Sequence, residues 1–146
     1  MALACDFRIA VDSAVMGLTE TGLAIIPGAG GTQRLPRIIG EAKAMELILT
    51  ARRLSAEEAL HYGLLTKIAP ADQLHRTVDA FVGSLLANGP VAVEQAKFAI
   101  KQGMNTDLQT GLAIERKAYE MTLPTEDRIE ALNAFAEKRK PVFKGR

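Results

Sequence analysis

Apolar residues recur at helical spacing in four consecutive segments after residue 70, and this pattern restricts the possible folds more than any other feature of the sequence. The stripe of the first segment consists of Leu74, Val78, Phe81, Val82, Leu85 and Leu86. Residues three and four apart lie on one face of an α-helix, and Gly or Pro ends a helix. The four segments end near Gly89, Gly103, Pro124 and Pro141, and Thr125 has the side chain of an N-cap residue for the fourth. We therefore predict an all-α region over residues 71–146.

Residues 1–70 combine short extended runs with short helical patterns. Residue types common in strands predict strands over residues 7–11 and 64–68, and an apolar stripe predicts a helix over residues 41–51. Ser55-Ala56-Glu57-Glu58 has the spacing of a capping box, which opens a short helix that Gly63 closes. The expected fold class is therefore α/β, with a mixed part over residues 1–70 and a helical part over residues 71–146.

Charge and cysteine content exclude several classes of protein. The 18 basic and 17 acidic side chains leave a net charge of +1, which gives no general attraction for nucleic acid or an anionic membrane. The single cysteine, Cys5, excludes a disulfide framework and a multi-cysteine metal site. We expect Cys5 to be a buried small hydrophobe, His61 and His75 to lie at the surface, and the compartment to be reducing and hence cytoplasmic. No apolar stretch approaches the ~20 residues that span a bilayer, so no membrane partner is expected.

The most conspicuous local motif is glycine-rich and covers residues 28–35, with the sequence Gly-Ala-Gly-Gly-Thr-Gln-Arg-Leu. It is not a dinucleotide-binding fingerprint, because Gln33 stands where a third glycine belongs, and it is not a phosphate loop, because no Gly-Lys-Ser/Thr follows. Two interpretations remain. The motif is either a tight turn that permits close helix packing, or a helix start whose free backbone N–H groups bind an anion or a carbonyl oxygen.

Glu20 is embedded in an apolar stretch just before the glycine-rich motif. Removal of a carboxylate from water raises its pKa and makes it a usable general acid near neutral pH. The alternative is an ordinary solvated or capping glutamate, and the pattern alone does not decide between them.

The C-terminus carries a basic cluster formed by Lys138, Arg139, Lys140, Lys144 and Arg146. Such a cluster could hold the phosphates of a nucleotide-like ligand or contact RNA, or it could be a solvated helix end whose charges suit the helix dipole. No aromatic stacking platform accompanies it, which argues against binding to single-stranded nucleic acid.

Four tracts together resemble the enoyl-CoA hydratase (crotonase) family, and the likeness extends over essentially all 146 residues. The tracts are Leu3-Ala4-Cys5-Asp6, Glu20, residues 26–35 and residues 134–139. Residues 18–36 are especially similar to bacterial enoyl-CoA hydratases and methylglutaconyl-CoA hydratases. The resemblance implies the C-terminal part of a crotonase-like spiral ββα core over residues 1–70. It also implies an all-α trimerisation region over residues 71–146, in a protein that assembles as trimers or dimers of trimers.

The resemblance also implies a reaction and assigns roles to particular residues. Members of the family are carbon–oxygen lyases that add water in syn fashion to trans-2-enoyl-CoA thioesters, in fatty-acid or branched-chain catabolism. Glu20 matches the second of two catalytic glutamates, and Gly28 matches a position beside the catalytic water. Phe135 and Lys138 match residues that contact the coenzyme A nucleotide. The coenzyme A thioester is the substrate, and the resemblance implies neither a metal nor a redox cofactor.

The match covers only the C-terminal half, or slightly more, of a typical family member. By the same alignment, the first catalytic glutamate precedes Met1, and the oxyanion-hole amides belong to the half that is not matched. We therefore expect the chain to be truncated, or its start site to be misassigned, and we expect it to be inactive by itself. The alternatives are a non-catalytic fragment that associates with full-length subunits, or another reaction of the family, such as isomerisation or methylglutaconyl-CoA hydration.

Overall fold

The computed structural model describes residues 1–146 and divides them into two compact units, Met1–Asp79 and Ala80–Arg146. The boundary predicted at residue 70 falls inside the first unit. Seven α-helices and four short strands make up the regular structure, which confirms the expected α/β class. None of the helices is both long enough and apolar enough to cross a membrane.

The first unit contains all four strands. They are β1 (Ile9–Val11), β2 (Val15–Gly17), β3 (Arg53–Ser55) and β4 (Lys67–Ala69). Strand β1 pairs in parallel with β4, and β2 pairs antiparallel with β3, so that the unit has two separate two-stranded sheets. The helices of this unit are α1 (Gly31–Ile39), α2 (Glu41–Leu49), α3 (Ala56–His61) and the first turns of α4 (Leu74–Leu86).

A single cluster of apolar side chains forms the core of the first unit. Its buried members are Leu35, Ala44, Leu47, Ile48, Leu54, Ala56, Ala59, Leu64 and Leu65. Helices α1, α2 and α3 each contribute to this cluster, as does strand β3. The core is therefore built from one face of each short element, as their apolar stripes require.

The predicted capping box is present at the start of α3. The Ser55 hydroxyl accepts a hydrogen bond from the Glu58 amide at 3.2 Å, and the Glu58 carboxylate accepts one from the Ser55 amide at 3.0 Å. Gly63 follows the helix with a φ of +74°, a left-handed conformation that favours glycine. The sequence pattern therefore predicted both ends of this helix.

The strand predicted over residues 64–68 is wrong in its first half. The Leu65 amide donates to the Ala59 carbonyl at the end of α3, at 3.0 Å, and therefore has no strand neighbour. Leu64 and Leu65 are buried core residues in irregular backbone, and regular pairing begins only at Lys67, opposite Ile9. Apolar runs of this length do not distinguish a strand from a buried loop.

The second unit contains the rest of α4, together with α5 (Pro90–Gly103), α6 (Leu108–Thr122) and α7 (Glu126–Ala136). These confirm the four predicted helices. Thr125 caps α7, because its hydroxyl accepts a hydrogen bond from the Arg128 amide at 3.2 Å. Helices α5 and α6 approach closely near Gly103 and Gly111, where a Cβ on Gly103 would lie 3.5 Å from the Gly111 Cα.

The C-terminal residues of the chain are held on helix α7. The buried Asp127 carboxylate accepts hydrogen bonds from the backbone amides of Lys144 at 2.6 Å and Gly145 at 2.8 Å. The Asp127 amide in turn donates to the Arg146 carbonyl at 3.1 Å. The end of the chain is therefore part of the packed second unit.

Candidate active site

A cavity of about 920 Å³ lies in the first unit and is lined mainly by apolar side chains. Core residues Leu35, Leu47, Leu54, Leu64 and Leu65 form part of its wall. Its charged lining residues are Glu20, Arg8, Arg34 and Arg52. An apolar cavity with a few polar groups is the usual form of a small-molecule site.

Glu20 is the first residue of a 3₁₀ turn, Glu20–Leu23, that packs against α2. The next residue fixes this turn, because the Thr21 hydroxyl donates to the Ile48 carbonyl of α2 at 2.5 Å. Glu20 lines the cavity, and its Oε2 atom is buried without a hydrogen-bond partner. Buried carboxylate oxygens are nearly always hydrogen-bonded, so an orphaned oxygen in a cavity marks a functional candidate.

The glycine-rich motif meets two backbone requirements at the start of α1. Gly30, the N-cap residue, has a φ of +85°. Gly31 is buried, and a Cβ there would lie 2.8 Å from Leu18 Cδ1 and 2.8 Å from Pro27 Cβ. The structure therefore shows close packing, one of the two interpretations of the motif. This packing holds the segment after Glu20 against α1.

Gly28 lies on the exposed side of this motif, and a Cβ there would have only the Ile26 carbonyl oxygen nearby, at 4.0 Å. Its neighbours Pro27 and Ala29 line the cavity that Glu20 also lines. Glu20 and Gly28 thus belong to the same unit and to the same stretch of chain around the cavity.

Phe135 and Lys138 lie at the end of α7, in the second unit. The Phe135 side chain is 87% exposed. Lys138 has a left-handed backbone with a φ of +55°, and its amide donates to the Phe135 carbonyl at 3.2 Å. The two residues therefore belong to one turn at the surface of this unit.

Part of the basic C-terminal cluster is neutralised by carboxylates. The Arg139 guanidinium donates to both oxygens of Glu130, at 2.5 and 2.9 Å, and also to Glu137. The Arg139 hydrogen bonds, with one from the Val142 amide, lower the pKa of Glu130 to about 2. Arg146 pairs with Glu126 at 3.1 Å. Because these two arginines are paired, fewer basic side chains of the cluster are available to bind a phosphate or RNA than the sequence alone indicates.

The expected burial of Cys5 is wrong, whereas His61 and His75 are exposed as predicted. Cys5 directly follows a 3₁₀ turn at the start of the chain, Ala2–Ala4, and its carbonyl accepts a hydrogen bond from Arg8 at 2.7 Å. A lone cysteine in an apolar run therefore does not predict burial. No three His, Cys, Asp or Glu side chains are grouped so that they could hold a metal ion.

Arg52 is a residue of the cavity that the sequence did not single out. It forms an ion pair with Glu58, which raises the pKa of Arg52 and, together with the Ser55 amide, lowers the pKa of Glu58. Its Nη1 atom is buried without a hydrogen-bond partner. No local sequence signal points to it, because Arg52 precedes β3 (Arg53–Ser55) and its partner Glu58 lies six residues later.

Comparison with known proteins gives a consistent family match. The family model described as "Enoyl-CoA hydratase/isomerase" matches residues 1–146. YngF of Bacillus subtilis, whose description is also that of an enoyl-CoA hydratase/isomerase, is 59% identical over 145 residues, which are 99% of this chain and 56% of that protein. Human mitochondrial methylglutaconyl-CoA hydratase is 53% identical over 149 residues, covering 99% of this chain and 44% of the relative.

A solved structure agrees with these matches. The crystal structure of an enoyl-CoA hydratase from Bacillus anthracis has a TM-score of 0.96 and 56% sequence identity, with 99% of this chain and 56% of that chain covered. The chain thus spans about half the length of the curated relatives it matches.

Proposed function

Since the chain belongs to the enoyl-CoA hydratase/isomerase family, we propose that it carries part of a site for the syn hydration of trans-2-enoyl-CoA thioesters. The single observation that carries this proposal is the buried, unpartnered carboxylate oxygen of Glu20 in the apolar cavity. A carboxyl group in such a place lies within reach of a substrate atom that enters the cavity and can exchange a proton with it.

In this reaction the oxygen of water bonds to C3 of the enoyl group while a proton is added to C2. We assign the C2 proton transfer to Glu20. The negative charge that develops on the thioester oxygen requires hydrogen-bond donors, which are typically worth several kcal/mol each. The family resemblance assigns these donors, and a second carboxylate that activates the water, to positions outside the 146 residues. We therefore propose that the chain by itself does not hydrate enoyl-CoA.

The resemblance assigns roles to three further residues. Gly28 would lie beside the water, a role its exposed, unobstructed backbone allows. Phe135 and Lys138 would contact the coenzyme A nucleotide, and the high exposure of Phe135 supports a binding role. Because hydration moves only protons and water, we propose neither a metal nor a redox cofactor.

We further propose that the chain forms homo-oligomers, as trimers or dimers of trimers, and acts in the cytoplasm. Exposed apolar side chains on α5 and α6 support association, and a single free cysteine fits a reducing compartment. Nucleic acid is not a proposed partner, because the net charge is +1 and Arg139 and Arg146 are paired with carboxylates.

A fusion protein tests the hydratase proposal. The part of the Bacillus subtilis relative that precedes the matched region is placed ahead of Met1, and hydration of crotonyl-CoA is followed by the loss of enoyl absorbance. We expect the fusion to hydrate crotonyl-CoA, and Glu20→Gln to lower kcat by about 10²–10⁴-fold. Glu57→Gln, which removes an exposed carboxylate on α3, is the matched control and should retain full activity.

Two results would contradict the proposal in different ways. Full activity of the Glu20→Gln fusion would remove Glu20 from the chemistry. Hydration by the unfused 146-residue chain would show that the chain needs no further catalytic groups.

A non-catalytic role is the second candidate function, and the exposed apolar residues of α5 and α6 favour it. A fragment with this surface could join full-length subunits of the same family. Co-expression of the tagged chain with the Bacillus subtilis relative, followed by measurement of the mass of the purified complex, distinguishes mixed assemblies from assemblies of the chain alone.

A further inference from the structure

The turn that carries Glu20 has few apolar side chains packed into the core. Leu23, Ile25 and Ile26 follow Glu20 and are 76, 59 and 70% exposed. The next buried residue along the chain is Pro27. Because side-chain packing does little to fix the backbone between Glu20 and Pro27, hydrogen bonds carry more of this task.

Thr21 ties this turn to helix α2 through its side chain. Thr21 is half-buried, and its hydroxyl donates to the Ile48 carbonyl at 2.5 Å, across 27 residues of sequence. Ile48 is a buried core residue in the last turn of α2. Gly22 lies beside the same helix end, since a Cβ there would stand 3.5 Å from the Ala51 Cβ. The residue next to Glu20 is therefore bonded directly to an element of the core.

Backbone hydrogen bonds close this turn within itself. The Ala24 amide donates to the Thr21 carbonyl at 3.1 Å, and the Ile25 amide donates to the Glu20 carbonyl at 3.3 Å. Ala24 has a left-handed backbone with a φ of +58°, a conformation that a non-glycine residue keeps only where its surroundings impose it. Since the turn is closed in this way, one bond from Thr21 to α2 fixes it as a unit.

The Glu20 carboxylate depends on this backbone for its position. Its Oε2 atom is buried and has no hydrogen-bond partner, so no donor of the chain orients that oxygen. A proton-transfer group must lie within hydrogen-bond reach of the atom that it serves. Misplacement of such a group by about 1 Å can lower the rate about 10²-fold. The location of the turn therefore decides whether Glu20 reaches the reacting carbon.

We propose, on the basis of the hydratase function above, that Thr21 is a positioning residue for the proton transfer. Its hydroxyl bond to Ile48 sets the distance between the Glu20 carboxylate and the reacting carbon, and it contributes nothing to binding of the coenzyme A ester. Loss of the bond leaves the Ile48 carbonyl paired, because this carbonyl also accepts the Ala51 amide at 3.3 Å. Removal of the hydroxyl therefore leaves no orphaned acceptor at the end of α2.

Kinetics of the fusion protein separate positioning from a merely structural role. Thr21→Val replaces the hydroxyl by a methyl group of similar size. We expect kcat for crotonyl-CoA to fall about 10–10²-fold while KM stays within about twofold of wild type, because the lost interaction acts only in the transition state. Thr21→Ser keeps the hydroxyl and should retain most of the wild-type kcat. Thr21→Ala, which also lacks the hydroxyl, answers the question if Thr21→Val does not fold by circular dichroism.

A matched control lies on the same helix. Thr50 is the C-cap residue of α2, is exposed, and donates its hydroxyl to the Glu46 carbonyl at 2.6 Å. Thr50→Val therefore removes a similar bond from the same helix end, but one that connects α2 to itself. This variant should leave kcat and KM unchanged.

The decisive measurement is a double-mutant cycle with Glu20→Gln. If Thr21 acts through the Glu20 carboxylate, Thr21→Val should lower kcat by less than about twofold in the Glu20→Gln fusion, since residues that act as a unit are non-additive. A merely structural role would lower kcat by the same factor in both backgrounds, and this result would overturn the inference.

Three further results would also overturn the role of Thr21 and leave the hydratase function intact. They are an unchanged kcat in Thr21→Val, a higher KM at unchanged kcat, and an equal loss of kcat in Thr50→Val. A wild-type fusion that does not hydrate crotonyl-CoA would overturn this inference together with the hydratase proposal on which it rests.

Discussion

Gly31 occupies the tightest packing position of the glycine-rich motif. A methyl group there would meet Leu18 Cδ1 and Pro27 Cβ, each at 2.8 Å, closer than side-chain atoms normally approach. Close packing in a core leaves little room for an added carbon, and such overpacking typically costs about 1–3 kcal/mol. The contact also fixes the chain that leads from Glu20 into α1, so a change there acts on the candidate site.

We predict that Gly31→Ala lowers the free energy of unfolding by about 1–3 kcal/mol. Gly83→Ala is the matched control, because nothing lies within 4 Å of a Cβ at this position in α4. That change should raise the free energy of unfolding by roughly 0.5–1 kcal/mol, as alanine is the better helix former. Urea unfolding followed by circular dichroism measures both. Equal stabilities of Gly31→Ala and wild type would mean that Leu18 moves aside freely.

Helix α7 and the last residues of the chain form one hydrogen-bonded element. The Glu130 carboxylate accepts hydrogen bonds from both terminal nitrogens of Arg139. It also accepts one from the Val142 amide, at 2.8 Å. These bonds lower the pKa of Glu130 from 4.5 to about 2 in the folded chain. A carboxylate whose pKa is lower when folded than when unfolded stabilises the fold fully above its unfolded pKa. This contribution is lost as the pH falls from 4.5 towards about 2.

We predict that Glu130→Gln destabilises the chain at pH 7 and reduces the loss of stability between pH 4.5 and about 2. The measurement is the thermal unfolding midpoint as a function of pH. Glu115→Gln, an exposed position on α6, serves as the control and should reproduce the wild-type pH profile. An unchanged profile in Glu130→Gln would mean that Arg139 and Val142 hold the C-terminal residues without this carboxylate.

The sequence predicted the elements whose signals are local. Helix periodicity, the Ser55 capping box and the Thr125 cap depend on residues within four positions of each other, and all are present. Non-local contacts could not be predicted in this way. The Asp127 carboxylate binds amides 17 and 18 residues away, and the Leu65 amide before β4 bonds to a carbonyl of α3 rather than to a strand.

The residues of the candidate site show the same difference between local and non-local signals. The apolar surroundings of Glu20 left its role open and the resemblance assigned it, and the structure gives Glu20 a buried oxygen and a cavity. Arg52 was not predicted, because its pairing with Glu58 spans six residues across a strand and a helix start and matches no helical spacing. The roles of Glu20, Gly28, Phe135 and Lys138 all stay predictions.

At the scale of the whole molecule, each unit exposes many large apolar side chains. In the second unit, α5, α6 and the C-cap of α5 expose the apolar residues Val93, Phe98, Ile100, Met104, Leu108, Leu112, Tyr119 and Met121. Five of them, Ile100, Met104, Leu108, Leu112 and Tyr119, line a groove of about 590 Å³ between the two helices. A contiguous apolar surface of this kind marks an interface or an aggregation site, and water alone does not solvate it favourably.

We therefore predict that the chain associates through this groove, with an apparent mass that rises with concentration in size-exclusion chromatography with light scattering. The double variant Leu108→Gln and Leu112→Gln should lower the apparent mass towards 15.7 kDa without loss of helix content, because both side chains are exposed and leave no cavity. Leu49→Gln removes a similarly exposed leucine, at 69%, from the first unit, and should leave association unchanged. Equal loss of association in both variants would mean that apolar surface in general drives it. Loss in neither variant would assign the interface to other residues.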